Sequence, residues 1–259
     1  MSTPRNVQAS GTQSRRLSLG VVIPTLNEEG VLAQLLQRLG PGDRKGAEPF
    51  EREDRADRVV VADGGSRDGT HALAREHGAE LVMAPAGRGQ QMAAGARELD
   101  SDVLVFLHAD CIPSAGALRD VRLAFEDEGL HACALRQRVD SERAFYRLIE
   151  ACADRRVRWF GMVYGDSGLC VRRSAYESVG GFRALPVFED VDLSRRLRAL
   201  GRPELLSSSL IVSARRWQRE GALRTTLRNW MLVCAYKAGM SPQRLARFYR
   251  PHSRPPASQ

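Results

Sequence analysis

VLVFLHADC, residues 103–111, runs apolar for five residues and then ends on His108, Ala109 and Asp110. A short run of Val, Leu and Phe closed off by polar residues reads as a buried strand. Its abrupt ending leaves an imidazole and a carboxylate where the strand emerges from the core. The same arrangement recurs upstream. LSLGVVIP (17–24), RVVVAD (58–63) and AELVMAP (79–85) are strand-like. Each gives way to polar residues and then to a helical pattern: GVLAQLLQRL (30–39), the stretch opened by SRDGT (66–70), and residues 90–99. Four such units with short connections predict an α/β fold, Rossmann-like, with a mostly parallel sheet flanked by helices. In such sheets ligands bind in the crevice at the carboxyl ends of the strands. Pro24–Glu28, Asp63–Thr70, Ala84–Gln91 and His108–Asp110 all fall at those ends.

Bulk properties narrow the function classes. A chain of 259 residues, 43% of them hydrophobic, suffices for one sizeable domain or a domain with a small appendage. A formal charge of +8 would suit nucleic acid or an anionic surface. The excess is nearly all arginine, however, with lysine only at positions 45 and 237, and we expect no nucleic-acid partner. Five cysteines, at 111, 133, 152, 170 and 234, form no C-x-x-C pair and fit a reducing, cytoplasmic setting. No apolar run approaches the roughly 18 residues of a membrane span. Residues 1–16 lack the apolar core of a signal peptide and read as a disordered tail, as do residues 251–259. PGDRKGAEPFEREDRADR (41–58) is almost without apolar residues and reads as a loop.

Residue chemistry alone leaves alternatives open at each strand end. Asp110, beside a neighbouring strand that ends in Asp63, builds an acidic pocket able to hold a hard cation through oxygen ligands, and through it a phosphate. The alternative is that Asp110 caps the helix near Ser114. After Pro24 stops the first strand, Thr25, Asn27 and Glu28 expose polar groups; Asn27 and Glu28 could equally cap the next helix. Gly64 and Gly65 permit a tight turn, with Ser66 and Asp68 as helix caps. In GRGQQMAAGA (87–96) backbone amides and Arg88 can face an anion. YGDSG (164–168) carries Asp166, a site group or a turn residue, ahead of the strand LCVRR. FEDVDLSRRLRALG (188–201) reads as a helix with Glu189, Asp190 and Asp192 at its start and Arg195, Arg196 and Arg198 beyond, an order that the helix dipole alone favours.

In this order, VVIPTLNEE, VVVADGGSRDGT, GRGQQMAAGA, FLHADC, GDSGLCVRRSAYESVGGF and FEDVDLSRRLRALG resemble the family 2 glycosyltransferases of the GT-A fold, over residues 17–219. The narrower likeness, carried by LHAD, GD before the glycine and SARRW, is to a bacterial subgroup labelled arsenosugar-biosynthesis or radical-SAM-associated transferases. The resemblance implies that Pro24, Thr25, Asn27, Glu28, Asp63 and Gly64 lie against the base and ribose of a nucleotide. It implies that the loop bearing Arg88 and Gln91 covers the donor, and that Asp110 ligates a divalent manganese or magnesium ion with His108 and Ala109 beside it. Asp166, Gly181 and Glu189 then face the sugar or acceptor, Asp190 is the general base, and Arg215 closes over the diphosphate. Two positions depart from the family pattern: His108 replaces the first acid of Asp-x-Asp, and Ala94 replaces an Asn.

The implied reaction moves a hexosyl or N-acetylhexosaminyl group from a nucleotide-diphospho-sugar, UDP preferred, to an acceptor hydroxyl with inversion. Rival classes are a nucleotide-sugar-binding protein without transfer activity and a nucleotidyltransferase. Against the latter stands the lack of a GxGxRxxP-like loop after the first strand. A dinucleotide-dependent oxidoreductase would need G-x-G-x-x-G where PTLNEE stands. Residues 220–250 read as amphipathic helices broken at GMSP (239–242). Their apolar stripe of Leu223, Leu227, Trp230, Met231 and Cys234 is expected to pack on the main domain, with peripheral contact at a membrane surface as the alternative.

Overall fold

A computed structural model describes residues 15–40 and 52–248. The expected alternation appears as β1 (Leu19–Thr25), α1 (Glu29–Leu39), β2 (Arg58–Asp63), α2 (Thr70–Glu76), β3 (Glu80–Met83), α3 (Arg88–Glu98) and β4 (Val103–Phe106). β3, β2, β1 and β4 lie side by side and parallel. Successive β1 side chains point to opposite faces of the sheet. Val21 and Ile23 therefore join a core with Leu32, Leu35, Leu36 and Leu39 of α1, while Val22 joins Met92 and Ala96 of α3. Both faces are covered, which explains why β1 and β4 are apolar without alternation.

Beyond β4 come β5 (Cys111–Pro113), α4 (Ala117–Ala124), β6 (Ala132–Val139), α5 (Ala144–Phe160), β7 (Leu169–Arg172), α6 (Arg173–Ser178), α7 (Glu189–Leu197) and β8 (Glu204–Val212). All eight strands form one sheet in the order β3-β2-β1-β4-β7-β6-β8-β5. This half corrects the mostly parallel expectation. β7 is antiparallel to both β4 and β6, β5 is antiparallel to β8, and only β6 and β8 run parallel. β7 is entered from the crevice side, so its first residue, Leu169, pairs with the last of β4, Phe106. Cys111 likewise pairs with Val212, and Ser213 N donates to the Asp110 carbonyl at 3.4 Å. The mixed sheet thereby delivers three chain segments to one corner.

The C-terminal region forms α8 (Arg215–Glu220), α9 (Ala222–Lys237) and α10 (Pro242–Ala246), one break more than expected, because Gly221 as well as Gly239 takes a positive φ. The expected packing of the apolar stripe is reversed. Leu227, Trp230 and Met231 are 53%, 55% and 57% exposed and Cys234 is exposed, whereas Thr225 and Leu232 are buried. The Leu223 side chain lies outside the described residues. So do residues 1–14 and 251–259 of the expected tails, residues 249–250 of the expected helical segment and residues 41–51 of the expected loop. Arg15 and Arg16, assigned to the tail, are held by ion pairs to Asp102 and Asp57. Among the described residues no helix is long and apolar enough to cross a membrane.

Candidate active site

Where β4, β7 and β8 converge, a cleft of about 950 Å³ counting its open mouth is walled by the segments 108–111, 164–166 and 187–191, by Trp217 of α8, and by one face of α9. Gly165 is the pivot. A side chain there would run into the His108 ring, so only glycine lets this loop approach the end of β4. Its amide donates to Asp190 Oδ2 at 2.7 Å, and the other Asp190 oxygen accepts the Val191 amide at 2.7 Å. His108, Asp166 and Asp190 are thus gathered around one backbone position.

Asp190 is presented by an unusual turn. Phe188, which precedes α7, has φ 63, a left-handed conformation that bulky residues rarely adopt and that concentrates at functional sites. The turn buries Glu189 and leaves Asp190 on the cleft. Phe188 stacks on Tyr236 of α9 with ring centroids 5.1 Å apart. At Gly89 a side chain would collide with the Arg183 carbonyl, so the start of α3 sits directly on the loop before α7. Arg88 then reaches Glu189, Nε to Oε1 at 2.9 Å. Burial pushes the Glu189 carboxyl up; Arg88 opposes this and Asp190 reinforces it.

The corner carries an excess of negative charge. Burial, then Asp110 and Asp68, push the Glu28 carboxyl up to about 7. Burial pushes the Cys111 thiol up as well, with Asp110 and Asp166 adding to it. Burial lifts the Tyr164 phenol to about 12 against the pull of Arg156, whose guanidinium lies 3.5 Å over its ring; Asp190 and Asp166 push it further. Tyr164 is therefore a neutral hydroxyl near pH 7. Arg88 and Arg156, the cations beside these acids, are paired with Glu189 and Asp166.

The ends of β1 and β2 are organised differently. Asp63 is fully buried, and its two oxygens accept from the Thr25 and Ser66 hydroxyls and the Gly65 and Ser66 amides, with His71 Nε2 at 2.9 Å. Five partners leave it no open acceptor position. Asn27, at φ 57, accepts the Arg67 amide, and its own amide donates to Ser66. Gln91 donates to the Thr25 and Ala62 carbonyls at 2.7 and 2.9 Å, tying α3 to both strands. Gly64 donates to the Thr25 carbonyl at 2.9 Å. Pro24, Thr25 and Ala109 are buried. In the structure these residues together build the turns at the ends of β1 and β2.

Of the expected site residues, Arg88, His108, Asp110, Asp166 and Asp190 share the cleft. Gly181 does not: it packs on Tyr176, and its carbonyl accepts Arg196 at 2.7 Å. Arg215 is exposed at the start of α8, away from the cleft lining. Tyr164, Trp217, Thr225 and Asn229 line the cleft and were missed. The spacing of Thr225, Asn229 and Leu232 on one helical face was their signal, opposite the apolar stripe.

The sequence profile of glycosyl transferase family 2 matches residues 20–180. No curated protein matches the chain by sequence. Among solved structures, the chain resembles glucosyl-3-phosphoglycerate synthase from Mycobacterium tuberculosis in complex with Mg2+ and UDP, at 18% identity over 76% of this chain and 70% of that one, with a TM-score of 0.53. It also resembles a mannosyltransferase from Pyrobaculum calidifontis in complex with GDP-Man and Mn2+, at 18% identity over 90% and 69% of the two chains, TM-score 0.61. A third likeness is to S. aureus TarS 1–349 in complex with UDP-GlcNAc, at 16% identity over 76% and 58%, TM-score 0.58. At these identities the likeness is one of fold.

Proposed function

We propose a reaction for this chain on one premise: it belongs to glycosyl transferase family 2, whose profile spans more than half of it. The reaction is transfer of a hexosyl or N-acetylhexosaminyl group from a nucleotide-diphospho-sugar, with UDP the preferred nucleotide, to an acceptor hydroxyl, with inversion, on a GT-A-type fold. The carrying observation is Asp190, fixed by the Gly165 amide at 2.7 Å in a cleft shared with Asp110. Asp190 takes the proton of the acceptor hydroxyl as that oxygen attacks the anomeric carbon; the bond from that carbon to the diphosphate oxygen breaks, and the nucleoside diphosphate departs. Tyr164 and Arg88 border the same space and orient what enters it.

The residues present fit a divalent ion. Glu28, pushed up to about 7 by burial first and then by Asp110 and Asp68, adds a third carboxyl group to the strand ends. Among the described residues no three acidic, His or Cys side chains form a cage. Such a corner suits manganese or magnesium held by one or two carboxylates and a ligand's phosphates. Asp110 would hold the ion, with His108 and Asp166 beside it. Bound there, it neutralises charge on the leaving diphosphate. The nucleotide lies over Asn27, Glu28 and the Gly64–Gly65 turn, which Asp63 keeps in shape.

The subgroup likeness rests on LHAD and SARRW and adds nothing about the acceptor. We place the reaction in the cytoplasm or at the inner face of a membrane. Exposed Trp230 and Met231, with Arg224, Lys237 and Arg244 nearby in sequence and no acid between residues 221 and 248, support contact with an anionic lipid surface. Incubation with UDP- and GDP-sugars and manganese tests the transferase reading. Release of the nucleoside diphosphate supports it; nucleotide binding without release favours a binding protein. Diphosphate released from a nucleoside triphosphate and a sugar phosphate favours a nucleotidyltransferase.

A further inference from the structure

α9 turns a mixed face inward, burying Leu232 with Val187 and Leu245 and placing two polar side chains beside it. Its apolar side chains Leu227, Trp230 and Met231 point outward, while Thr225 and Asn229 line the cleft. Thr225 is 1% exposed, and its Oγ1 finds no hydrogen-bond partner among the described residues. Asn229 Oδ1 is also buried without one. A threonine in a helix usually satisfies its hydroxyl on the carbonyl four residues back; this one does not. One turn apart, the two groups sit on the same side of the helix. An alcohol and an amide, desolvated together in a cleft that also holds Asp190, await partners that the described residues do not supply.

The surroundings define what those partners are. Among the described residues, Asp110, Asp166 and Asp190 give the cleft lining three carboxylates against one lining arginine, Arg88, which is paired with Glu189; Arg156 stands behind the lining, paired with Asp166, and the described lining residues of α9 are uncharged. A phosphorylated or carboxylated acceptor would meet like charge. Trp217, Val212 and Leu232 offer apolar surface on the same wall. We propose that Thr225 and Asn229 are acceptor-recognition residues that hydrogen-bond the hydroxyls of an uncharged, polyhydroxylated acceptor whose apolar portion rests against Trp217. The proposal rests on the transferase reading and names the acceptor class for it.

Phenyl β-D-glucoside, uncharged and carrying an aromatic group, is the probe, and glucose 6-phosphate is its anionic counterpart. Titration calorimetry into the full chain loaded with UDP and manganese reads binding without turnover, so a failed acceptor assignment is separable from a failed transferase reading, which nucleoside diphosphate release reports. The glucoside is expected to bind and glucose 6-phosphate to bind at least tenfold more weakly. Thr225→Val and Asn229→Leu should each weaken the glucoside about tenfold, the scale of one lost hydrogen bond. Thr225→Ser should restore it. Thr225→Val should also melt no lower than the parent, because it deletes a buried hydroxyl that has no partner. No glucoside binding, tighter binding of glucose 6-phosphate, or unchanged affinity in both variants overturns the proposal. Thr225→Val that melts several degrees lower and binds normally assigns the residue to the fold and overturns it too.

Discussion

Replacing Asp63 by alanine removes the acceptor for two hydroxyls and two backbone amides at once. Thr25 Oγ1 lies 3.0 Å away, the Gly65 amide 2.8 Å and the Ser66 amide 2.7 Å, with His71 Nε2 at 2.9 Å. A buried donor left unsatisfied costs about 1–3 kcal/mol, and neighbours in one network do not add fully, so Asp63→Ala should cost about 4 kcal/mol. At ~2–4 °C per kcal/mol for a domain of this size, melting should fall by about 8–16 °C. Asp63→Asn should be milder, about 1–2 kcal/mol. Its amide can turn its carbonyl to the two backbone amides and its NH2 to the hydroxyls, which can accept, but the charge assistance is gone. Acidity gives a second reading. Burial pushes the Asp63 carboxyl up, but His71, the Ser66 hydroxyl and the Ser66 and Gly65 amides outweigh it and hold it at about 2, below the 3.8 of the free side chain. At about 1.36 kcal/mol per pH unit this is roughly 2 kcal/mol. It is present in full above pH ~4 and lost as the pH falls through 2, a loss that Asp63→Asn should lack. Urea melts with m held constant measure all of this. Unchanged midpoints together with lost UDP affinity would refute the turn-lock reasoning and make Asp63 a direct ligand contact.

Asp190→Asn should keep UDP affinity within a few-fold and lower transfer by about 10²–10⁴, read as kcat with a UDP-sugar donor. Asp192, buried and bound by Arg196 at 2.8 Å, lies off the cleft lining; Asp192→Asn should lower the urea midpoint and change kcat little. Asp110→Asn should abolish the manganese dependence of UDP binding, measured by calorimetry with and without chelator, at unchanged melting temperature. Without metal, the raised Glu28 carboxyl makes stability fall as pH climbs from about 4.5 to 7, since the folded state there holds a proton that the unfolded chain releases; manganese with UDP should flatten that slope in pH-dependent melts. The full chain should sediment with anionic vesicles at low salt and be released at high salt, and Trp230→Ser with Met231→Ser should abolish this.

The parallel half of the sheet was legible because its strands β1, β2 and β4 are built on apolar runs and β1, β2 and β3 each lead into a helix. Val21–Ile23 and Val103–Phe106 are buried on both faces and so carry no alternation to misread. Of the antiparallel half only β7, in LCVRR, was legible as a strand, and its direction was not. β6 reads ACALRQRV, with two arginines in its second half, because Arg136 reaches Asp154 at 2.6 Å; a strand stabilised by an ion pair to the helix that follows it lacks the apolar signature. β5 has three residues and exists through pairing with β8, nearly a hundred positions away. Local pattern carries no trace of such a contact.

Within the site, carboxylates at strand and helix ends could be found by position, since chain direction alone sends them to the crevice. What separates a scaffold residue from a cleft residue could not. In sequence Asp63 and Asp110 both close an apolar run, yet Asp63 ends β2 and the tight turn after it folds its amides back onto the carboxylate, while Asp110 stands four residues past the end of β4 and the chain leads away into β5. α9 shows the same limit from the other side. Burying the apolar stripe is the right expectation for a helix resting on a dry core. This helix rests on a small apolar cluster through Leu232, Ala235 and Tyr236, and for the rest on an open cleft lined by three acids, where Thr225 and Asn229 can be served by a ligand and Trp230 cannot. Polar side chains buried without partners on a helix's inward face are therefore themselves a sign that it borders a site, and that sign is read only when its neighbours are known.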